Sequence, residues 1–189
     1  MTDQNEVRLV KRAKQGDMHA FEELILQHEK IVYNVALRMM NHSEDAKDIS
    51  QEVFLKAYRN IGNFDERSQF STWIYRITAN TCIDEMRKRK GRQSFSLEEE
   101  LENEEGSMQR QVADAGETPE ESMLREEQKS EILQALESLS PEHKVAVILR
   151  DIKGLSYEEI AEILELTLGT VKSRISRGRN QLKQEILKL

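Results

Sequence analysis

Residue types that form covalent or metal-bound scaffolds are scarce in this chain of 189 residues. Its single cysteine, Cys82, has no partner for an internal disulfide. The four histidines (His19, His28, His42 and His143) lie too far apart in sequence to form a zinc module with that cysteine. Disulfide frameworks and zinc modules are therefore excluded.

Proline, glycine and long apolar runs are scarce as well. The chain has two prolines and eight glycines, and 33% of its residues are charged while only 38% are hydrophobic. This composition predicts a helical protein with small cores. No segment reaches the roughly 18 to 20 apolar residues of a membrane span, and the first 14 residues lack the apolar core of a signal peptide. We interpret the chain as cytoplasmic, without direct membrane insertion.

The motifs of the common enzyme classes are missing too. The sequence has no glycine run that could hold phosphates, no nucleophile elbow and no histidine placed to activate Cys82. A chain without such residue sets has no groups for acid–base or nucleophilic chemistry. We therefore expect no enzyme activity, no catalytic residue, no cofactor and no metal ion.

The acidic charge of the chain is concentrated in its middle. The formal net charge is -7, yet residues 1–92 carry 16 basic and 14 acidic groups, and residues 132–189 carry 9 and 8. Residues 93–131 carry only 3 basic groups but 13 acidic groups. A segment so acidic and so poor in apolar residues cannot bury enough surface to fold alone. We predict an all-α protein of two small helical domains joined by a flexible acidic linker, with the bounds 1–92, 93–117 and 118–189.

The C-terminal domain has the pattern of a helix-turn-helix. Ser156 and Glu159 form a capping box that starts a helix, and a short break at 166–168 follows it. A second helix then places apolar residues every three or four positions: Val171, Ile175, Gly178, Leu182 and Ile186.

The polar face of that second helix suits a DNA major groove. Its cations can donate to guanine, its hydroxyls can bond bases or phosphates, and a helix N-terminus favours phosphate. The alternative is a solvated face on an ordinary helical hairpin. The residues concerned are Thr170, Lys172, Ser173, Ser176, Arg177 and Asn180.

Aromatic residues cluster in the N-terminal domain. Six of the ten aromatics fall within the 22 residues from Phe54 to Tyr75, interleaved with basic residues. They can form a local core, which we favour for Phe54, Phe70 and Tyr75, or they can stack on unpaired bases beside cations.

A helix predicted from Thr72 to Lys90 follows this cluster. It should be largely buried, leaving open one polar stripe that combines an aromatic, an amide and two cations. This polar stripe suits a single strand, and a structural row of salt bridges is the alternative. The basic run 87–92 beyond it is either a phosphate contact or a solvated hinge. The polar stripe consists of Trp73, Arg76, Asn80, Asp84 and Arg87.

The helix predicted from Ser43 to Asn60 has a different exposed side. Opposite its apolar face lies a leucine among acidic and amide residues, which indicates a protein partner with basic groups and an apolar notch. These residues are Asp48, Gln51, Glu52 and Leu55.

The combination of these patterns resembles a known family. The segments DISQEVF (48–54), FSTWIYRITAN (70–80), LSYEEIA (155–161) and GTVKSR (169–174) are similar to those of extracytoplasmic-function (ECF) sigma factors, the short promoter-specificity subunits of bacterial RNA polymerase. The resemblance covers nearly the whole chain except the linker. It implies that residues 1–92 form sigma region 2 and residues 118–189 form sigma region 4.

The resemblance also implies roles for residues. Asp48, Gln51, Glu52 and Leu55 would bind the clamp of the largest polymerase subunit. Minus-thirty-five duplex would be read by Arg150, Gly169, Thr170, Lys172, Ser173, Ser176 and Arg177. A flipped base of the minus-ten element would be captured, and its strand held, by Asn60, Ile61, Gly62, Asn63, Phe64, Trp73, Arg76, Asn80, Arg87 and Lys88.

The partners implied by the resemblance are core RNA polymerase, through its clamp and flap, and promoter DNA. The acidic linker would lie in the RNA channel of the polymerase. A separate anti-sigma protein, either free or anchored in a membrane, would regulate the chain. The main rival is a stand-alone helix-turn-helix repressor or activator, which accounts for residues 132–189 but leaves the polar stripe unexplained.

Overall fold

The computed structural model describes residues 4–96 and 131–188. Four helices and a 3-10 turn form the N-terminal part: α1 (Gln4–Lys14), α2 (Met18–Met40), α3 (Ser43–Asn60), the turn (Ile61–Asn63) and α4 (Phe70–Ser96). The C-terminal part contains α5 (131–137), α6 (Pro141–Val147) with a π-helical turn (Ile148–Ile152), α7 (Tyr157–Leu164) and α8 (Leu168–Ile186). The described ranges contain no strand, so the all-α prediction is confirmed.

Helices α1 to α4 form the N-terminal bundle. The Asp17 side chain accepts a hydrogen bond from the Ala20 amide at 3.1 Å and thereby caps α2. Asn41 caps the C-terminal end of α2. Its backbone is left-handed, and its backbone N–H donates to the Leu37 carbonyl. The apolar faces of the helices meet in a core with fully buried Leu24, Val32, Val35, Val53 and Ile74.

Helix α4 is longer than predicted, because it begins at Phe70 and continues to Ser96. The basic run 87–92 is therefore helical, which corrects its interpretation as a hinge. Arg89 within this run donates to both carboxylate oxygens of Asp45 at 2.6 and 2.7 Å. These hydrogen bonds raise the pKa of Arg89 and lower the pKa of Asp45. They fix the basic end of α4 to the first turn of α3.

Helices α5 to α8 form the C-terminal bundle, in which α7 and α8 are the predicted helix-turn-helix. The Ser156 hydroxyl accepts from the Glu159 amide at 3.1 Å, and the Ser156 amide donates to the Glu159 carboxylate at 2.7 Å. The predicted capping box is thus confirmed. The Ser140 hydroxyl caps α6 by accepting from the His143 amide, with Pro141 in the first turn, and the Thr167 hydroxyl caps α8 by accepting from the Thr170 amide.

Helix α8 packs closely on α6 at Gly178. A Cβ atom there would lie 2.7 Å from Val147 Cγ2 and 3.5 Å from the His143 carbonyl oxygen. Valine at this position would force the stiff β-branched Val147 to move.

We predict that Gly178→Val lowers the free energy of unfolding by about 1 to 3 kcal/mol, measured by urea unfolding. Asn180→Val, on an exposed turn of the same helix, should change it little; equal losses would contradict the close packing.

The two bundles pack against each other through α4, which contacts α6 and α7. Ile83 of α4 and Ile160 of α7 belong to one continuous apolar cluster. At this junction Lys144 is only 2% exposed, and Cys82 is fully buried. Burial raises the pKa of Cys82 to about 12 and lowers the pKa of Lys144.

Two further sequence predictions meet the limits of the described residues. The acidic linker, 93–117, lies outside them except for 93–96, which continue α4. None of the described helices combines the length and the apolar character that crossing a bilayer requires.

Candidate nucleic-acid and polymerase interfaces

The four residues predicted to bind the polymerase clamp are exposed together on α3. Leu55 has 55% of its surface exposed. Asp48 and Gln51 lie on the same side of the helix. Glu52 pairs with Lys56 one turn later at 2.7 Å. The acidic and apolar character expected from the sequence is therefore presented on one surface.

Leu55 also lines an open groove of about 770 Å³ between α2 and α3, whose wall is overwhelmingly apolar. We call it the α2–α3 groove. Sequence reasoning missed the α2 side, where Leu26 is 71% exposed. Helical spacing could have revealed it: Leu24 and His28 lie on the buried face of α2, and Leu26, two residues from each, lies off that face. An amphipathic helix of a partner fits such a groove. The main apolar lining residues are Met18, Ile25, Leu26, Phe54, Leu55 and Tyr58.

The polar stripe of α4 begins on an aromatic platform. The Trp73 ring lies 5.1 Å from the Phe64 ring and 5.5 Å from the Phe70 ring, and it is half-buried. Phe70 is buried, so it belongs to the local core as expected. Packing on two sides holds the Trp73 ring in place, so one part of it stays accessible at a fixed position.

Further along α4, Asn80, Asp84, Arg87 and Lys88 are exposed. The exposed amide of Asn80 can donate to and accept from a base edge. Lys88 lies in the basic run and extends the cationic end of the stripe. The stripe therefore brings together on one helix an aromatic ring, an amide and basic side chains, which are groups that can stack, form hydrogen bonds and attract phosphate.

The loop from Asn60 to Phe64 contributes backbone and polar groups. Ile61 and Phe64 are only 6% and 4% exposed, so their side chains support the loop from the core. Burial of these apolar side chains stabilises the loop, and the part of Ile61 and Phe64 in base capture stays a prediction. Gly62 and Asn63 are exposed, and the Asn60 amide donates to the Lys56 carbonyl at 2.7 Å.

The expectation that the whole polar stripe stays open is also corrected. Arg76 donates to the Glu165 carboxylate at 2.8 Å and to the Glu162 carbonyl at 3.0 Å. Arg87 donates to the Glu142 carboxylate at 2.7 and 3.1 Å. Both cations of the stripe are thus paired with carboxylates of the C-terminal bundle; Arg76 is half-buried by this contact, whereas Arg87 stays exposed. The alternative of a salt-bridge row accounts for these two residues in this conformation.

The polar face of α8 is open. Gly169, Lys172, Ser176 and Arg177 are exposed, and within 4–96 and 131–188 neither of the two cations makes an ion pair. Their charges remain available to an anionic ligand. Cations and hydroxyls on one exposed helix face suit base edges and phosphates.

Local bonds shape the first turn of α8. The Thr170 hydroxyl lies 2.9 Å from that of Thr167, and the Thr170 amide donates to the same Thr167 oxygen at 3.3 Å. Ser173 donates to the Thr170 carbonyl at 2.9 Å. These two predicted residues are half-buried at the rim of the open face.

Arg150 has a different position from the other predicted duplex-binding residues. Its guanidinium donates to the Leu155 carbonyl at 2.7 Å and lies 4.7 Å above the Tyr157 ring. It therefore braces the loop that precedes α7 and is only half-exposed. Arg179 pairs with Asp151 in the same neighbourhood. Direct base contact is thus better supported for Arg177 than for Arg150.

Comparison with known proteins gives the family. The model of Sigma-70 region 2 matches residues 24–92, and that of Sigma-70, region 4 matches residues 129–182. The ECF RNA polymerase sigma factor SigW of Bacillus subtilis (strain 168) is 37% identical over 178 residues, which are 94% of each chain. This chain belongs to the ECF sigma factors. The resemblance predicted from the sequence is confirmed.

Other ECF sigma factors support the same assignment. The sigma-E factor of Escherichia coli (strain K12) is 37% identical over 182 residues, covering 94% of this chain and 92% of its own. The solved structure of the sigma factor RpoE with the anti-sigma factor NepR from Bartonella quintana has a TM-score of 0.65 and 29% identity. The superposed region covers 89% of this ECF sigma factor and 97% of the RpoE chain. This ECF sigma factor is a DNA-binding protein of transcription initiation.

Proposed function

We propose that this sigma factor reads a promoter in two physical forms while bound to core RNA polymerase. The C-terminal bundle would read intact minus-thirty-five duplex with α8. The N-terminal bundle would capture a flipped base of the melted minus-ten strand with α4 and its neighbouring loop. The observation that carries the proposal is that two faces with different chemistry lie on two bundles: aromatic and amide on α4, hydroxyl and cation on α8.

Capture of a base is within reach of the groups on α4. Flipping a base costs a few kcal/mol of unstacking, which a preformed pocket can offset without ATP. Asn80 would bond the base edge, Gly62 and Asn63 would admit it at the loop, and Trp73 would stack beside it. Arg87 and Lys88 would hold phosphates. The chain supplies binding, and the polymerase supplies phosphoryl transfer.

The α2–α3 groove would bind the polymerase clamp. Its apolar lining and the acidic Glu22 within that lining suit a basic amphipathic helix. The place of action would be the cytoplasm, where polymerase and promoter DNA are. The placement of the acidic linker in the RNA channel stays a prediction.

A separate anti-sigma protein is part of the proposal. A structural relative of 29% identity was solved with the anti-sigma factor NepR, so a protein that covers the polymerase-binding surface would keep this chain inactive. The α2–α3 groove and the exposed Leu26 and Leu55 are an apolar surface that such a partner can cover.

A gel-shift experiment with and without core polymerase tests the function. The promoter fragment comes from transcript starts mapped after overexpression of the full chain. We expect weak binding by the chain alone and tight, sequence-specific binding by the holoenzyme. Tight binding by the chain alone would favour the stand-alone repressor or activator and contradict the proposal.

Arg177→Ala tests duplex reading. If Arg177 donates to a base edge, its loss should weaken holoenzyme binding by roughly 1 to 3 kcal/mol and relax specificity at one base pair. The measurement compares binding to the promoter with binding to a set of single-base variants of the minus-thirty-five element. Lys183→Ala, further along the same helix, is the matched control. A uniform loss on every sequence would show a phosphate contact instead.

A further inference from the structure

Helix α1 reaches the segment between α3 and α4 through one side chain. The ammonium of Lys14, in the last turn of α1, donates to the Phe64 carbonyl at 3.0 Å and to the Glu66 carboxylate at 3.0 Å. These bonds join residues that lie 50 and 52 positions apart in the chain. The match to Sigma-70 region 2 covers residues 24–92 and does not include α1.

The Phe64 carbonyl is a place where a bond from another helix can hold the loop from Asn60 to Phe64. Phe64 leaves the 3-10 turn with an extended backbone, at φ -62° and ψ 122°, so its carbonyl points out of the helical hydrogen-bond pattern. Its buried ring lies 5.1 Å from the Trp73 ring and 5.8 Å from the Phe70 ring. A bond that holds Phe64 therefore holds both the end of the loop and the aromatic platform.

The turn of α1 that carries Lys14 is a firm support. Ala13 beside it and Val10 one turn earlier are buried in the core. Arg12 donates to the Asp17 carboxylate at 2.9 Å across the connection to α2. The Lys14 side chain itself is half-buried. Its ammonium is therefore presented to the loop from a backbone that packing and hydrogen bonds hold in place.

Helix α1 also supports the aromatic platform at a second point. The Glu6 carboxylate lies 3.1 Å from His28 Nε2, and both side chains are largely shielded from solvent. The His28 ring in turn lies 5.1 Å from the Phe70 ring. Helix α1 thus backs two of the three platform rings, one through Lys14 and the other through His28.

A pocket for a flipped base gains affinity when it is formed before the base arrives, because a mobile loop has to be ordered during binding. We propose that Lys14 is a positioning residue for strand capture: its bond to the Phe64 carbonyl fixes the loop from Asn60 to Phe64 beside the polar stripe. Lys14 acts through the loop and leaves contact with the base to other residues. The inference rests on the proposed function of the loop and the stripe.

Amide hydrogen exchange in the free full-length chain tests whether Lys14 holds the loop. Lys14→Met keeps the aliphatic stem and removes the donor. We expect the Phe64 and Ser68 amides, which each bond a carbonyl three residues earlier, to exchange about tenfold faster, while the amides of α2 are unchanged. Lys11→Met, at an exposed position on the same helix, is the matched control. Equal rates in the two variants would overturn the proposal.

Glu66→Gln separates the bond to the carbonyl from the ion pair. The Glu66 side chain is 41% exposed, and an exposed pair contributes little, whereas a part-buried hydrogen bond from a charged donor contributes more. Glu66→Gln keeps the bond from Lys14 to Phe64, so loop exchange should stay close to that of the natural chain. Acceleration equal to that of Lys14→Met would show that the ion pair holds the loop and would overturn the proposal.

Promoter opening by the holoenzyme measures the consequence for function. On the promoter obtained from mapped transcript starts, Lys14→Met should reduce permanganate reactivity of the minus-ten thymines about tenfold, because a displaced binding group loses much of its effect. Affinity for core polymerase should be unchanged, since Lys14 is not among the residues that line the α2–α3 groove. A loss of polymerase affinity equal to the loss of opening would overturn the proposal.

Base selectivity distinguishes positioning from a merely structural role. Opening is compared on the promoter and on single-base variants of its minus-ten element. A loosened loop should discriminate less against wrong bases, so the preference for the natural base should fall about fivefold in Lys14→Met and stay unchanged in Lys11→Met. A general loss of folded protein would lower opening on every sequence by the same factor. An unchanged preference in Lys14→Met would overturn the proposal.

Asn80→Ala in the same opening assay distinguishes the inference from the function on which it rests. We expect both Asn80→Ala and Lys14→Met to open the promoter poorly, and only Lys14→Met to show faster exchange in the loop. Poor opening by Asn80→Ala with normal opening by Lys14→Met would overturn the positioning role and leave strand capture standing. Normal opening by both variants would contradict strand capture by α4 and the positioning role with it.

Discussion

Replacing Leu55 by glutamate is expected to weaken binding of core polymerase by about 100-fold, close to 3 kcal/mol. The leucine is 55% exposed in the free chain and lines the α2–α3 groove, so its contact area becomes buried only when a partner binds. Burial of one leucine side chain contributes about 1.5 to 3 kcal/mol. A carboxylate at the same place would also have to lose its water without a partner.

The loss should be measured as affinity of the full chain for core polymerase. The fold should be unaffected, because Leu55 is outside the buried core. We expect Leu26→Glu, on the opposite wall of the α2–α3 groove, to weaken polymerase binding in the same way. Val7→Glu on α1, an exposed apolar residue outside the groove lining, is the matched control and should bind normally. Normal binding by the Leu55 variant would place the polymerase surface elsewhere.

Asn80→Ala is expected to reduce promoter opening by about 10- to 100-fold while core binding stays normal. The Asn80 amide is exposed at the centre of the polar stripe, and its loss would leave the edge of a flipped base without its hydrogen bonds. Permanganate reactivity of the minus-ten thymines in the holoenzyme complex reports the open fraction, and polymerase affinity is measured in parallel.

Asp84→Ala is the matched control for Asn80. It lies one turn further along the same stripe, and its carboxylate repels phosphate, so its removal should leave opening intact or raise it slightly. A parallel loss of polymerase binding in Asn80→Ala would show that the residue is structural. Normal opening in Asn80→Ala would remove it from the base pocket.

The features that the sequence predicted well depend on short spacings. The capping box of Ser156 and Glu159 needs only groups within three residues, so local chemistry determines it. The apolar period of α8, with Gly178 in the buried stripe, follows from the helical repeat. Family resemblance added the assignment of roles, which spacing alone does not supply.

The features that the sequence did not predict depend on contacts between distant residues. The α2–α3 groove needs Leu26 and Leu55 brought together from two helices, and each residue alone is an ordinary exposed leucine. Pairing of Arg76 with Glu165 spans 89 positions, so no periodicity reveals it. Arg150 has the charge of a DNA contact, but its place above Tyr157 is fixed by the fold of the loop.

Aromatic residues show the same limit within one cluster. Phe64 and Trp73 lie nine positions apart and have similar chemistry, yet Phe64 is buried while Trp73 keeps part of its ring accessible. The difference arises because Phe64 follows the 3-10 turn and points into the bundle. The sequence left a core and a stacking surface open as alternatives; the structure places Phe64 in the core, and stacking of a base on Trp73 stays a prediction.

Run-off transcription by core polymerase with this sigma factor tests the central claim most directly, when a duplex promoter is compared with the same promoter melted in advance across the minus-ten element. We predict that Asn80→Ala transcribes poorly from the duplex and recovers most of its activity on the melted template. Arg177→Ala should be impaired equally on both, because the minus-thirty-five element that it contacts is intact duplex in both templates. Equal rescue of the two variants, or of neither, would contradict the separation of strand capture on α4 from duplex reading on α8.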